Sequence, residues 1–367
     1  MRSTAIDRRT FLTLAGAALL APGAAADGGE EALFLGARRG GNGFEAAVID
    51  ERGRDRLVLP LEARGHSFAI DRQRGRAVAF ARAPGRFAVT FSLDGGAEPV
   101  AVAAEAGRHF YGHGLFTPDG RLMLATENDY EAARGVTGIY DAGKGFARIG
   151  EFATGGIEPH EALLMPDGKT LCAANGGIQT HPDYERVKLN LATMQPSLAY
   201  LDIATGDIVE QVKLAKDLHQ VSIRHMAVDA FGHVWFGCQY QGAPADRPAL
   251  VGRHRRGREI EMFAGPADVL RALDNYVGSV AVDTSGTVVA TSSPHGGVVA
   301  FWDAATGRSL GLRQLADGCG VAGSGRARII ATSGRGAIVE TGPDGDTSEL
   351  AAPAPTAPAW DNHLRRI

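Results

Sequence analysis

The chain has 367 residues, 44% of them hydrophobic, with 38 lysines and arginines against 42 aspartates and glutamates and a formal net charge of −4. Charges of both signs are interspersed, which excludes a nucleic acid or an anionic membrane surface as the partner that composition alone would predict. After roughly the first 30 residues no stretch is long and apolar enough to span a bilayer.

The chain opens with Arg8-Arg9-Thr10-Phe11-Leu12, then an apolar run from Leu12 to Ala21 and the small residues Ala24-Ala25-Ala26. A basic region, a short apolar region and an A-x-A end form a cleavable twin-arginine export signal. Residues 1–26 are therefore expected to be removed, leaving a single mature domain, 27–367, in the periplasm without a membrane anchor. Cargo of this route crosses the membrane folded, often with a cofactor already loaded, which raises the expectation of a metal. The mature region has three cysteines, Cys172, Cys238 and Cys319. Each lies in a strand-like or glycine-rich segment and reads as a small buried hydrophobe.

Beyond Asp27 short runs of Val, Ala, Ile, Leu, Phe and Thr alternate with glycine-rich turns, an all-β pattern. The turn glycines Gly120, Gly168, Gly232 and Gly286 stand 48, 64 and 54 residues apart, each closing an Asp-containing hairpin. A second recurrent turn is Asp202-Ile203-Ala204-Thr205-Gly206 and Asp303-Ala304-Ala305-Thr306-Gly307. Spacings of this size suit one four-stranded propeller blade per unit. Innermost strands are predicted to begin near His66, His113, Glu161, His225, Ser279 and Gly320, with an insertion from His181 to Ser197 lengthening one unit. Trp360–Leu364 supplies a further inner strand, and the runs 32–36, 44–50 and 56–61 supply its missing outer three. The prediction is a seven-bladed β-propeller closed by N-terminal strands pairing with the C-terminal strand, six blades being the alternative if the Gly320 unit is irregular.

Five histidines, His66, His113, His160, His225 and His363, fall at or just before predicted inner strands, where a propeller converges on its central funnel. Imidazoles aimed at one axis can hold a transition metal. Glu127, Asn128, Asp129, Glu158, Glu161, Asp361 and Asn362 lie nearby in sequence, and a mixed N/O set suits iron, copper or zinc better than calcium. The competing reading is structural. Gly112-His113 resembles the Gly-His pair of WD-type repeats, and His160 sits one residue out of register with His113, enough to turn a strand side chain to the other face. The polar insertion with Asn175 and His181, running on through Arg186 and Lys188, could join Arg134, Arg224 and Tyr276 in binding an anionic ligand, or could be a self-capped surface loop. No nucleophile-elbow, zincin, P-loop or covalent-haem motif is present.

The segments YGHGLFTPDG, LATENDYEAARGVTGIYD, LCAANGGIQTHPDYERVKLNLATMQPSL, SIRHMAVDAFG and the closing WDNHL resemble, nearly end to end after the signal, a bacterial family of exported propellers catalogued as domain of unknown function 1513. Where that family tends to have a glycine after Tyr184, this chain has Glu185. The resemblance implies a place beside periplasmic iron-uptake components of the imelysin kind and a dihaem-type oxidoreductase. Three functions are consistent with it: a protein binding iron, copper or a metal complex in the His-lined funnel, a scaffold for imelysin-like or haem oxidoreductase partners, and a metal-dependent hydrolase or oxidoreductase with Glu161 as base.

Overall fold

The computed structural model describes residues 19–20, 31–184 and 187–367. The predicted export signal, with Arg8 and Arg9, lies outside these residues except for Leu19–Leu20, a two-residue strand paired antiparallel to Leu57 and Val58. Glu185 and Arg186 also lie outside them.

Seven antiparallel sheets follow one another around a ring, six of four strands and one of five once Leu19–Leu20 is counted, and in the six the strands run from inner to outer in chain order. The innermost strands are β1 (Gly65–Asp71), β2 (Arg108–Phe116), β3 (Pro159–Leu164), β4 (Val221–Val228), β5 (Ser279–Val282), β6 (Gly318–Gly325) and β7 (Ala359–Arg366). Each contacts the next, and β7 contacts β1, so the ring is closed. Closure occurs within one blade, where β7 pairs with Leu33–Gly40, which pairs with Gly43–Asp50 and then Asp55–Leu61. Joining the two ends of the chain in a single sheet leaves no inner edge to recruit a foreign strand. The described residues contain one α-helix, Ala267–Ala272, and none long and apolar enough to cross a membrane.

Local chemistry explains the repeat. Gly120, Gly168, Gly232 and Gly286 all hold φ between +62° and +78°, a conformation that other residues adopt only with strain. The turn aspartates fasten the same hairpins: Asp167 accepts from the amides of Lys169 and Thr170, and Asp283 from those of Thr287 and Val288. Between these turns, β-branched and aromatic strands such as Phe87–Ser92 and Val298–Asp303 pack face to face with neighbouring blades. Trp235, Trp302, Phe34, Phe80, Phe110 and Phe301 are fully buried there. Cys172, Cys238 and Cys319 are free thiols buried in this packing.

Candidate metal centre

Five of the seven innermost strands deliver a histidine to one place inside the ring: His66 from β1, His113 from β2, His160 from β3, His225 from β4 and His363 from β7. The His363 ring centroid lies 4.5 Å from that of His225, 4.6 Å from His66 and 4.7 Å from His113. His160 lies 4.9 Å from His225 and 5.3 Å from His113. In the trios His66–His113–His160 and His113–His225–His363, one nitrogen from each ring falls within 4.8 Å of the others. His66, His113, His225 and His363 are buried, and His160 borders a cavity above them.

The one-residue offset of His160 is resolved by β-bulges. Six of the seven innermost strands shift register against their neighbour at the level of the cluster, and in each the innermost strand carries the excess, two residues in β2 and β7 and one in the others. A bulge re-aims a side chain that simple alternation would send to the far face. It lets Glu161 follow His160, and His225 follow Arg224, with both members of each pair reaching the same cluster. Room is made by glycine. Gly112 has φ +97°, and a Cβ there would stand 2.7 Å from the His66 ring. On β6, a Cβ at Gly320 would meet the Leu364 backbone nitrogen at 2.6 Å, so that position has no room for a side chain.

Carboxylates back the rings. Glu161 turns one oxygen toward His113 Nδ1 and the other toward His225 Nδ1, each at 3.6 Å. It also accepts from the Met226 amide at 3.0 Å and from Arg365. Asp361 faces His66 Nδ1 at 3.3 Å and is held by Arg64 and Arg82. A carboxylate behind Nδ1 leaves Nε2 for a metal, the arrangement that orients metal-bound histidines. His113 therefore looks to the next blade, unlike the within-blade bonding of a WD-type histidine. His160 is backed differently: Arg224 Nη1 lies 2.9 Å from its Nδ1 and 2.5 Å from Glu158, itself at φ +60°.

Burial pushes the imidazoles down, to about 3 at His66 and about 4 at His225. His160 and His363 fall well below the usual range, His160 through burial, Arg224 and the neighbouring rings, and His363 through burial, the neighbouring rings and Arg365. Burial alone would raise Glu161, but Arg365 and His113 hold it well below the usual carboxylate range. The cluster is thus a set of neutral imidazoles in a frame of ionised carboxylates, the protonation state that metal ligation needs.

Other predicted residues stand elsewhere. Glu127 is bound by Arg148 at 2.9 Å and by the Tyr140 hydroxyl at 2.5 Å. Arg134 bridges Asp129 and Glu151 at 2.7 and 2.6 Å, so both belong to an ion-pair network inside the β2 blade. Asn175 spans Thr154 and Ser197. His181 stacks edge-on to Tyr130 on the insertion, apart from the five. Tyr276 accepts a hydrogen bond from Asn362 at 3.1 Å beside the cavity. Arg365, Arg82 and Tyr111 escaped the sequence reading. The period of two along β7, Asp361–His363–Arg365, carried a signal for the first of these.

A family model described as "Protein of unknown function (DUF1513)" matches residues 59–367. The chain belongs to the DUF1513 family. No curated protein matches it by sequence. Among solved structures, this DUF1513 chain is similar to hydrazine synthase of Kuenenia stuttgartiensis, with a TM-score of 0.61 and 13% identity over 84% of this chain and 89% of that one. It is similar to the β-propeller domain of Cps50 (Swd1) from Myceliophteria thermophila, with 0.56 and 13% over 84% and 95%. It is also similar to BamB from Moraxella catarrhalis, with 0.52 and 15% over 87% of each chain. At these identities the likeness is one of fold.

Proposed function

We propose that this DUF1513 propeller is exported to the periplasm and takes iron or copper at the histidine cluster, as the binding component of an iron-acquisition or iron-handling system. One observation carries the reading. Both ring nitrogens of His113, both of His225 and Nε2 of His363 are buried without a hydrogen-bond partner. The 3.6 Å approaches of Glu161 are too long to satisfy them. Each unsatisfied buried nitrogen costs on the order of 1–3 kcal/mol, and ligation of a cation removes that penalty at one nitrogen of each ring. Neutral imidazole suits first-row transition ions, whereas calcium would demand oxygens that the cluster holds at second rank. His113, His225 and His363 would hold the ion with His66, while Glu161 and Asp361 fix the ring orientations.

The test is elemental analysis of the mature protein purified without a tag or chelator, followed by Fe(II) and copper titration. About one ion per chain is expected, absent in His113→Ala or His225→Ala. Glu161→Gln should lower affinity about 10- to 100-fold without abolishing it. A wild-type protein that ignores both metals would overturn the reading.

A second reading, the scaffold, is favoured by the insertion, where Tyr184, Val187 and Leu189 are 57%, 56% and 40% exposed. Such apolar exposure fits docking of an imelysin-like or haem oxidoreductase partner.

A further inference from the structure

Directly over the cluster lies a cavity of about 160 Å³ whose walls include His160, Arg224, Arg82, Tyr111, Tyr276 and Asn362. No carboxylate is among its lining residues. Asp361 and Glu158 stand behind Arg82 and Arg224 and hold them in place. The Tyr111 hydroxyl is 2% exposed as a residue, and although Thr180 is beside it, it has no partner at hydrogen-bond geometry.

The proton of His160 can be placed from its neighbours. A guanidinium only donates, so the 2.9 Å contact from Arg224 makes His160 Nδ1 the acceptor. The neutral ring must then carry its hydrogen on Nε2. His160 thus differs from His66, His113 and His225, whose Nδ1 atoms face carboxylates. Its Nε2 has a hydrogen to give and no lone pair for a metal. Among the described residues, the contact with Arg224 through Nδ1 is the one hydrogen bond of the His160 side chain. Imidazole N–H, guanidinium N–H and a phenol therefore converge on one small space, whose other walls are the rings of His66 and His225 and the amides of Gln239 and Asn362, with no carboxylate in the lining to neutralise the arginines. That set is complementary to an anion. The volume, about five waters' worth, limits it to a few heavy atoms. An outer cavity of about 430 Å³, which shares Arg82, Tyr276 and Asn362, is lined by Arg38, Arg39 and Arg64 as well as Asp317 and Asp361, so arginines outnumber carboxylates along the way inward.

We propose that this cavity is a binding site for a small oxyanion of the carboxylate or carbonate class, held by His160 Nε2–H, Arg224 and the Tyr111 hydroxyl, with His160 acting as donor and not as metal ligand. The proposal stands on the cavity and the Arg224–His160 contact, independently of the metal reading. If both hold, the anion lies beside the ion and shares its charge.

The experiment uses metal-free, mature protein labelled with ¹⁵N-histidine. Long-range ¹H–¹⁵N spectra report which nitrogen of each ring bears the proton, and formate and then bicarbonate are titrated in. His160 should be protonated on Nε2, and formate should move its signals saturably, with bicarbonate competing. Tyr111→Phe and Arg82→Gln should each weaken formate binding about tenfold while leaving the thermal transition cooperative. A proton on His160 Nδ1, His160 signals indifferent to formate, or unchanged affinity in both variants would overturn the site. A formate response in a protein that takes up no metal would sink the metal centre and leave this site standing. Metal uptake without a formate response would do the reverse.

Discussion

Gly112 shows how tightly single residues constrain the centre. Its φ of +97° and the 2.7 Å between an added Cβ and the His66 ring leave no conformation in which alanine fits unstrained. Gly112→Ala should destabilise the protein by about 2 kcal/mol through backbone strain and displacement of His66. Urea unfolding measures the first effect, and metal titration of the folded variant the second. An unchanged midpoint with unchanged affinity would show that β2 can relax away from β1 at no cost. Arg365 is the counterpart at long range: it joins Glu161 and Ser67. One guanidinium thereby ties β7 to both β3 and β1, and removing it would leave Glu161 buried with its main counter-charge gone.

At the scale of the strand, the sequence discloses periods better than exceptions to them. The glycine turns mark four of the units, the strand starts extend the count, and the orphan runs at the two ends mark the closure, because these signals are local in sequence. That five histidines share one level follows from their recurrence on five innermost strands, second in β1 and β3 and further along in β2, β4 and β7. What alternation hides is the bulge: a pattern of period two puts Glu161 on the face opposite His160, yet the shift between Pro159 and Glu161 brings both to the cluster. Glu127 misleads for the opposite reason. Its neighbours Asn128 and Asp129 make it look like part of a polar site, whereas Tyr140 and Arg148, on the two strands beyond, neutralise it. Only pairing across strands reveals that. The closing strand invites a direct test. Trp360 is 4% exposed, packs on Gly36 and lies under Arg38, 5.0 Å from its guanidinium. Trp360→Ala should cost about 3–5 kcal/mol and weaken metal binding in parallel, since Asp361 and His363 ride on the same strand. Chemical denaturation and metal titration on one sample would show whether the two losses track each other. A large loss of stability with full metal affinity would separate closure from the site.

Taken as a whole, the ring is lopsided. The blades of β7, β1, β2, β3 and β4 are contiguous and each contributes a histidine, while β5 and β6 present Ser279, Cys319 and Gly320. The collective titration of this arc should govern stability in acid. His66, His113, His160, His225 and His363 all protonate less readily in the fold than in the unfolded chain, so acid favours unfolding. Their contribution is complete above the unfolded value of 6.5 and declines below it. His225, titrating at about 4 in the fold against 6.5 unfolded, alone removes about 3 kcal/mol by pH 4. Glu161 and Asp361, held low, lose stabilisation in the same direction as the pH falls further. Unfolding free energy of the metal-free protein, measured by urea from pH 7 to 4, should drop steeply. A flat profile would mean that the rings are already protonated or solvated in the fold.

The C-terminal strand also sets an order of events. Asp361, His363 and Arg365 all lie on β7, the strand that closes the ring. A chain that has not yet folded this strand into place has neither a closed ring nor its full set of imidazoles. A product that stops upstream of residue 359 would lack both. Closure of the ring and assembly of the histidine cluster become a single checkpoint, read at that strand.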